Sequence, residues 1–94
     1  GVLVRDVDEG ILESTDVKVY PNPSSDYLII EFTKATVDAA NIYLIDVEGR
    51  EVSYQENVKT SRVQLNVSNV KAGIYLLKLE TSKGTVAKKV LIQR

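Results

Sequence analysis

From Val17 onward the hydrophobic positions of this chain fall into short alternating runs, each closed by turn residues. Val17 to Tyr20 is a brief run that ends at Pro21. Asp26 to Lys34 places Leu28, Ile30 and Phe32 on one face and Ile29, Glu31 and Thr33 on the other. That is the period of two expected of a strand, in a stretch rich in β-branched and aromatic residues. Ala40 to Val47 is apolar on both faces until Asp46, which predicts a central strand. Arg50 to Asn57 is polar enough to be an exposed strand. Ser61 to Val67 alternates Val63, Leu65 and Val67 against Arg62, Gln64 and Asn66. Gly73 to Thr81 sets Tyr75, Leu77 and Leu79 opposite Ile74, Leu76 and Lys78, and Thr85 to Gln93 follows as the last run.

No segment shows a competing helical period, and the spacing of the turn signals is even. About seven strands recurring every eight to twelve residues predict an all-β fold, an immunoglobulin-like antiparallel β-sandwich. The turns have their own chemistry. Glu48-Gly49-Arg50 should reverse the chain with Gly49 at positive φ. Ser82 to Gly84 reads as a hairpin turn. Val67 to Gly73 reads as a crossing from one sheet to the other, with a brief helical turn as the other option. Both prolines of the protein, Pro21 and Pro23, sit in Val19 to Ser25, VYPNPSS. Their rings fix φ near −65° and push Tyr20 and Asn22 toward extended conformations.

Residues 1–16 break the pattern. Their apolar residues are scattered, and Arg5 stands against Asp6, Asp8, Glu9, Glu13 and Asp16, a net −4. This is read as a linker or leader, with the folded domain at 17–94. Asp6, Asp8 and Gly10 faintly resemble a calcium loop, but Ile11 stands where that loop needs its glycine.

Composition narrows the chemistry. With 94 residues, 44% of them apolar, the chain has enough for one small core. It has no Cys, His, Trp or Met, so no disulfide framework and no thiolate or imidazole metal site can form. No cofactor is expected. No apolar run nears the ~20 residues of a membrane-spanning helix. Serine-type catalysis would lack its histidine base, and each lysine lies in a turn or on a polar flank. Asp46 and Glu48 end a strand two residues apart and suit turn contacts better than a cleft. Asn66-Val67-Ser68 matches a glycosylation acceptor by letters alone. The chain is therefore not expected to be an enzyme. Its net charge of −1 hides a polarity, for residues 71–94 carry Lys71, Lys78, Lys83, Lys88, Lys89 and Arg94 against Glu80, a net +5. Nucleic acid does not fit a chain that is not basic overall, with one Phe and five Tyr to stack bases.

Four segments then line up in order: VKVYPNPSSDYLII, IYLIDVEGREV, LNVSNVKAGIYLLKLET and GTVAKKVLIQR. Over residues 17–94 this set resembles the C-terminal sorting domain of cargo of the type IX, or Por, secretion system of the Bacteroidetes. The resemblance implies an immunoglobulin-like domain behind a secreted enzyme, protease or adhesin, which makes this chain the last part of a longer precursor. It implies partners: a type IX outer-membrane translocon that reads the folded domain after transit of the periplasm, and a surface sortase. By the same resemblance, the sortase would remove the domain within residues 1–16 and join the cargo to lipopolysaccharide. By position, the sorting motifs are Tyr20, Pro21, Asn22 and Pro23; Asp46, Gly49 and Arg50; Gly73 and Tyr75; and Lys88, Lys89, Val90, Leu91 and Ile92. The resemblance implies that the terminal strand is the part that matters most for export.

Each of these positions also has a purely conformational reading. The prolines route the chain, Gly73 relieves backbone strain, and Tyr75 is in phase with the core. Lys88 and Lys89 point to opposite faces, so at least one reaches solvent if the strand is an edge. The competing function is an accessory immunoglobulin-like module that binds carbohydrate or acts as a spacer. Its aromatic platform would draw on Tyr27, Tyr43 and Tyr54, without any Trp.

Overall fold

The computed structural model describes residues 12–33 and 39–94. Every predicted strand is present: β1 (Val17–Tyr20), β2 (Tyr27–Phe32), β3 (Ala40–Ile45), β4 (Glu51–Val58), β5 (Arg62–Asn66), β6 (Gly73–Thr81) and β7 (Gly84–Ile92). They form two antiparallel sheets, one ordered β1-β2-β5 and the other β4-β3-β6-β7. The chain is thus an all-β sandwich.

The core is the set of inward positions that the alternation marks. Leu28 and Ile30 face Leu44, Leu77 and Leu79 across the sandwich, all of them at 0% exposure. Val63, Leu65, Val86, Val90 and Ile92 extend the same layer. β3 lies between β4 and β6, the central place its two-faced apolarity predicts. β4 is an edge strand, bulged against β3 near both ends, with Asn57 left-handed at φ +57°.

Where strand ends differ from the expected ones, they do so by one or two residues, for local reasons. β2 stops at Phe32, and the next amide, of Thr33, donates to the carbonyl of Asp16 at 2.8 Å. β3 stops at Ile45 because Asp46 turns its carboxylate onto the following backbone. β7 gains Gly84, which pairs with Thr81 across the hairpin. The stretch after β5 is the predicted crossing between sheets, with a single turn bond from Val70 N to Val67 O.

The core also takes in Leu12, upstream of the expected start at residue 17. Its amide donates to Lys83 O at 2.8 Å, and it is 5% exposed. A 3₁₀ turn at Ser14–Asp16 follows, closed by Glu13 N donating to Asp16 Oδ2. The calcium-like trio Asp6, Asp8 and Gly10 lies outside the described residues.

Candidate recognition surface

Strand order brings the ends of β1, β3, β5 and β7 and the starts of β2, β4 and β6 to one pole of the sandwich. Three of the four motif segments, and the far half of the fourth, meet there. The Pro–Asn–Pro loop leaves β1 at that pole and runs alongside β7. Ser24 pairs with Ile92 in a parallel bridge, donating its amide to Leu91 O at 3.0 Å and accepting from Gln93 N at 2.8 Å. Asn22 does the same with its side chain. Its Oδ1 accepts from Leu91 N at 3.0 Å and its Nδ2 donates to Lys89 O at 3.4 Å. A carboxamide carries one acceptor and one donor group, so it can stand in for a peptide unit on a strand edge. Both X–Pro bonds, Tyr20-Pro21 and Asn22-Pro23, are cis. Tyr20 anchors the loop from the opposite sheet, its hydroxyl donating to Glu31 Oε1 at 3.1 Å.

Arg94 closes the same pole. Its Nε donates to Val70 O at 2.9 Å and its Nη1 to Ser25 O at 2.6 Å. Its Nη2 reaches the carbonyls of Val67 and Val70. One guanidinium therefore fastens the chain beyond β7 to both the proline loop and the β5–β6 crossing. Among the described residues it makes no ion pair. Nothing in the sequence marks Arg94, Ser24 or Ser25 for this, because each contact lies far along the chain and most of them use main-chain carbonyls.

The β3–β4 turn is built by Asp46. Its Oδ1 accepts from Glu48 N and Arg50 N, both at 2.9 Å, and its Oδ2 from Arg50 Nε at 3.0 Å. These bonds, the backbone one from Arg50 foremost, hold the Asp46 carboxyl below the usual carboxylate range. Gly49 sits at φ +87° with open space where a Cβ would stand, so the backbone angle alone selects glycine. Arg50 also reaches Glu48 and is largely exposed. The turn borders a shallow depression of about 390 Å³, shared with Val52, Asn69, Lys71 and Tyr75.

Gly73 and Tyr75 open β6 directly beside the last strand, pairing with Ile92 and Val90. Gly73 has φ +153°, and Tyr75 is a core residue whose hydroxyl donates to Lys71 O at 2.5 Å. β7 itself is an edge strand. Val90 and Ile92 are 1% exposed and belong to the core, and Leu91 is half-buried on the outer face. Lys88 shares the inward face yet remains half-exposed at the rim, and Lys89 is exposed on the outer face. Among the described residues neither lysine forms an ion pair. Beside Lys89, a small apolar depression of about 160 Å³ is lined by Val47, Ile74 and Leu76.

The three tyrosines of the carbohydrate reading do not form one platform. Tyr43 and Tyr54 are paired across β3 and β4 with ring centroids 4.9 Å apart, whereas Tyr27 lies on the other sheet. Tyr43 donates its hydroxyl to Glu80 at 2.8 Å; that bond, together with burial, pushes the phenol up to about 12, and the same bond holds the Glu80 carboxyl down against its own burial. Lys78 stands 5.2 Å from the Tyr43 ring centre. Among the described residues no three Asp or Glu side chains are gathered as a metal site would need.

A family model described as the secretion system C-terminal sorting domain matches residues 18–93. An endo-acting ulvan lyase of Formosa agariphila is 36% identical over 87 residues, which is 92% of this chain and 16% of that protein. The chain thus spans about a sixth of the length of that relative. Among solved structures, a Bacteroides vulgatus protein described as an immunoglobulin-like β-sandwich superposes with a TM-score of 0.70 at 13% identity. That overlap covers 83% of this chain and 84% of the other, and establishes the fold. With a family model spanning β1 to β7, and its residues forming one closed sandwich, the chain belongs to the secretion system C-terminal sorting domain family.

Proposed function

We propose that this domain is a recognition signal without chemistry of its own, read in the folded state by the type IX outer-membrane translocon. The family assignment supports a sorting role for a secreted cargo. The observation that carries the finer reading is the convergence of the Pro–Asn–Pro loop, the Asp46 turn and the Gly73–Tyr75 segment on β7. A signal dispersed over more than 70 residues of chain becomes one surface only after folding. On this reading a cargo domain precedes the described fold and crosses the periplasm with it. A surface sortase then cuts within residues 1–16 and transfers the cargo to lipopolysaccharide. Lys88, Lys89 and Leu91 are the terminal-strand side chains placed to be read, and Val90 and Ile92 keep that strand in the core.

The decisive experiment fuses residues 1–94 to a fluorescent reporter bearing a signal peptide, in a host with a type IX system. Surface or extracellular fluorescence is expected, and retention in the periplasm overturns the reading. Deleting Lys88 to Arg94 would remove Val90, Ile92 and the Arg94 contacts together, so it would test folding as much as recognition. Lys89→Glu changes only an exposed side chain and is the sharper variant; reduced export of a normally folded fusion is expected. The accessory-module reading rests on the Tyr43–Tyr54 pair and would gain from specific binding on a glycan array.

A further inference from the structure

The edge of β7 is divided in two. Backbone groups of alternate residues on an edge strand face outward. On β7 these are the odd-numbered residues, since Lys89 O, Leu91 N, Leu91 O and Gln93 N all bond away from β6. The half from Lys89 O to Gln93 is closed by Asn22 and Ser24. The other half keeps the amides and carbonyls of Thr85 and Ala87 and the amide of Lys89 without a backbone partner among the described residues. Leu12, bonded to Lys83 O, bounds this open span at one end, and Asn22 bounds it at the other. The span is about 17 Å long, the reach of a five-residue strand.

Its regularity sets it apart from the other long edge. β4 is bulged twice and twisted by Asn57, features that discourage pairing. β7 pairs with β6 through nine residues without a register shift. Its charge is also one-sided. Lys83, Lys88, Lys89 and Arg94 lie between Ser82 and Arg94 with no Asp or Glu among them. A second copy pairing β7 against β7 would bring two lysine-bearing edges with no acidic residue side by side, and like charges brought close repel.

We infer that the open half of the β7 edge, Thr85 to Lys89, is a docking edge for an extended acidic segment of another protein, added as an eighth strand. The inference deepens the proposed recognition role of the terminal strand and rests on it. Backbone pairing would supply affinity without reading sequence, and the lysines on either face would select a negatively charged partner.

The test titrates the ¹⁵N-labelled 94-residue chain, at low salt, with a capped heptapeptide alternating Glu and Val, and with its Lys–Val counterpart. Saturable shifts of the Thr85, Ala87 and Lys89 amides are expected with the acidic peptide, with at least tenfold weaker binding of the basic one. Ala87→Pro removes an outward N–H from an edge strand, where proline is tolerated, and should weaken binding tenfold or more. Should that variant unfold, Lys89→Glu serves instead, and the preference should move toward the basic peptide. Equal binding of both peptides, or shifts confined to Ile74 and Leu76, overturns the inference. So does concentration-dependent broadening of β7 amides without peptide, which would assign the edge to a second copy. None of these results bears on reporter export, so the sorting role stands or falls separately.

Discussion

Asn22 occupies a position where a side chain replaces a peptide group, accepting from one β7 residue and donating to another. Few residues can do both from one planar group. Asn22→Ala should lose both bonds at a cost of roughly 1–2 kcal/mol, read as a fall in Tm of about 4–8 °C per kcal/mol. Asn22→Asp keeps the acceptor, loses the donor to Lys89 O and sets a carboxylate against that carbonyl, so it should fall no less than Asn22→Ala. Asp46 works by a different principle, an ionised carboxylate taking three donors from its own turn. Its folded-state pKa is lowered, so its stabilising effect is complete above the ordinary Asp range and is lost as pH falls through the lowered value. Denaturant midpoints measured from pH 7 down to pH 2 should show this loss. Asp46→Asn should retain the two backbone bonds at Oδ1 and flatten that part of the acid dependence, and Asp46→Ala should lose the turn at every pH.

At the scale of the element, β6 shows how one strand serves two surfaces. Leu77 is 0% exposed between the sheets, and its neighbour Leu76 is 42% exposed on the outer face. Leu77→Ala should cost about 2–5 kcal/mol, because the lost methylenes leave a cavity that a close-packed core cannot refill. Leu76→Ala should stay within about 0.5 kcal/mol. Chemical denaturation of the two variants measures both. For a chain of this size the first loss is a large share of a total stability of about 5–15 kcal/mol. β7 is built on the same alternation, with one departure. Lys88 occupies an inward position at the rim, a placement that discourages indiscriminate edge pairing.

For the whole molecule, the pole where the motif segments meet depends on closure. Arg94 joins three segments that are far apart in sequence, and it does so through main-chain carbonyls of Ser25, Val67 and Val70. Arg94→Lys keeps the charge but loses the planar fork that reaches several acceptors at once. It should recover only part of the roughly 1–3 kcal/mol lost by Arg94→Ala. Hydrogen exchange should register the same variants as faster exchange at Leu91 and Gln93, whose amides bond to the proline loop, with the β2 and β3 core amides little changed.

Alternation in the sequence determined the strands, their inward faces, the central place of β3 and the sandwich, because burial on one side of a pleated ribbon imposes a period of two that side chains must obey. The Asp46 turn was legible for a related reason, since its donors and acceptors lie within four residues. The ordered motifs also identified the family. What the tertiary structure decided was where those motifs meet. Along the sequence, VYPNPSS is a stretch whose prolines route the chain, and the last strand lies at the far end. Asn22 in fact pairs with residues 67 and 69 positions away. Contacts of that separation between polar side chains and main chain carry no periodic signature. Leu12 and Arg94 were missed for the same reason, as single residues fixed by partners that only the folded topology brings near.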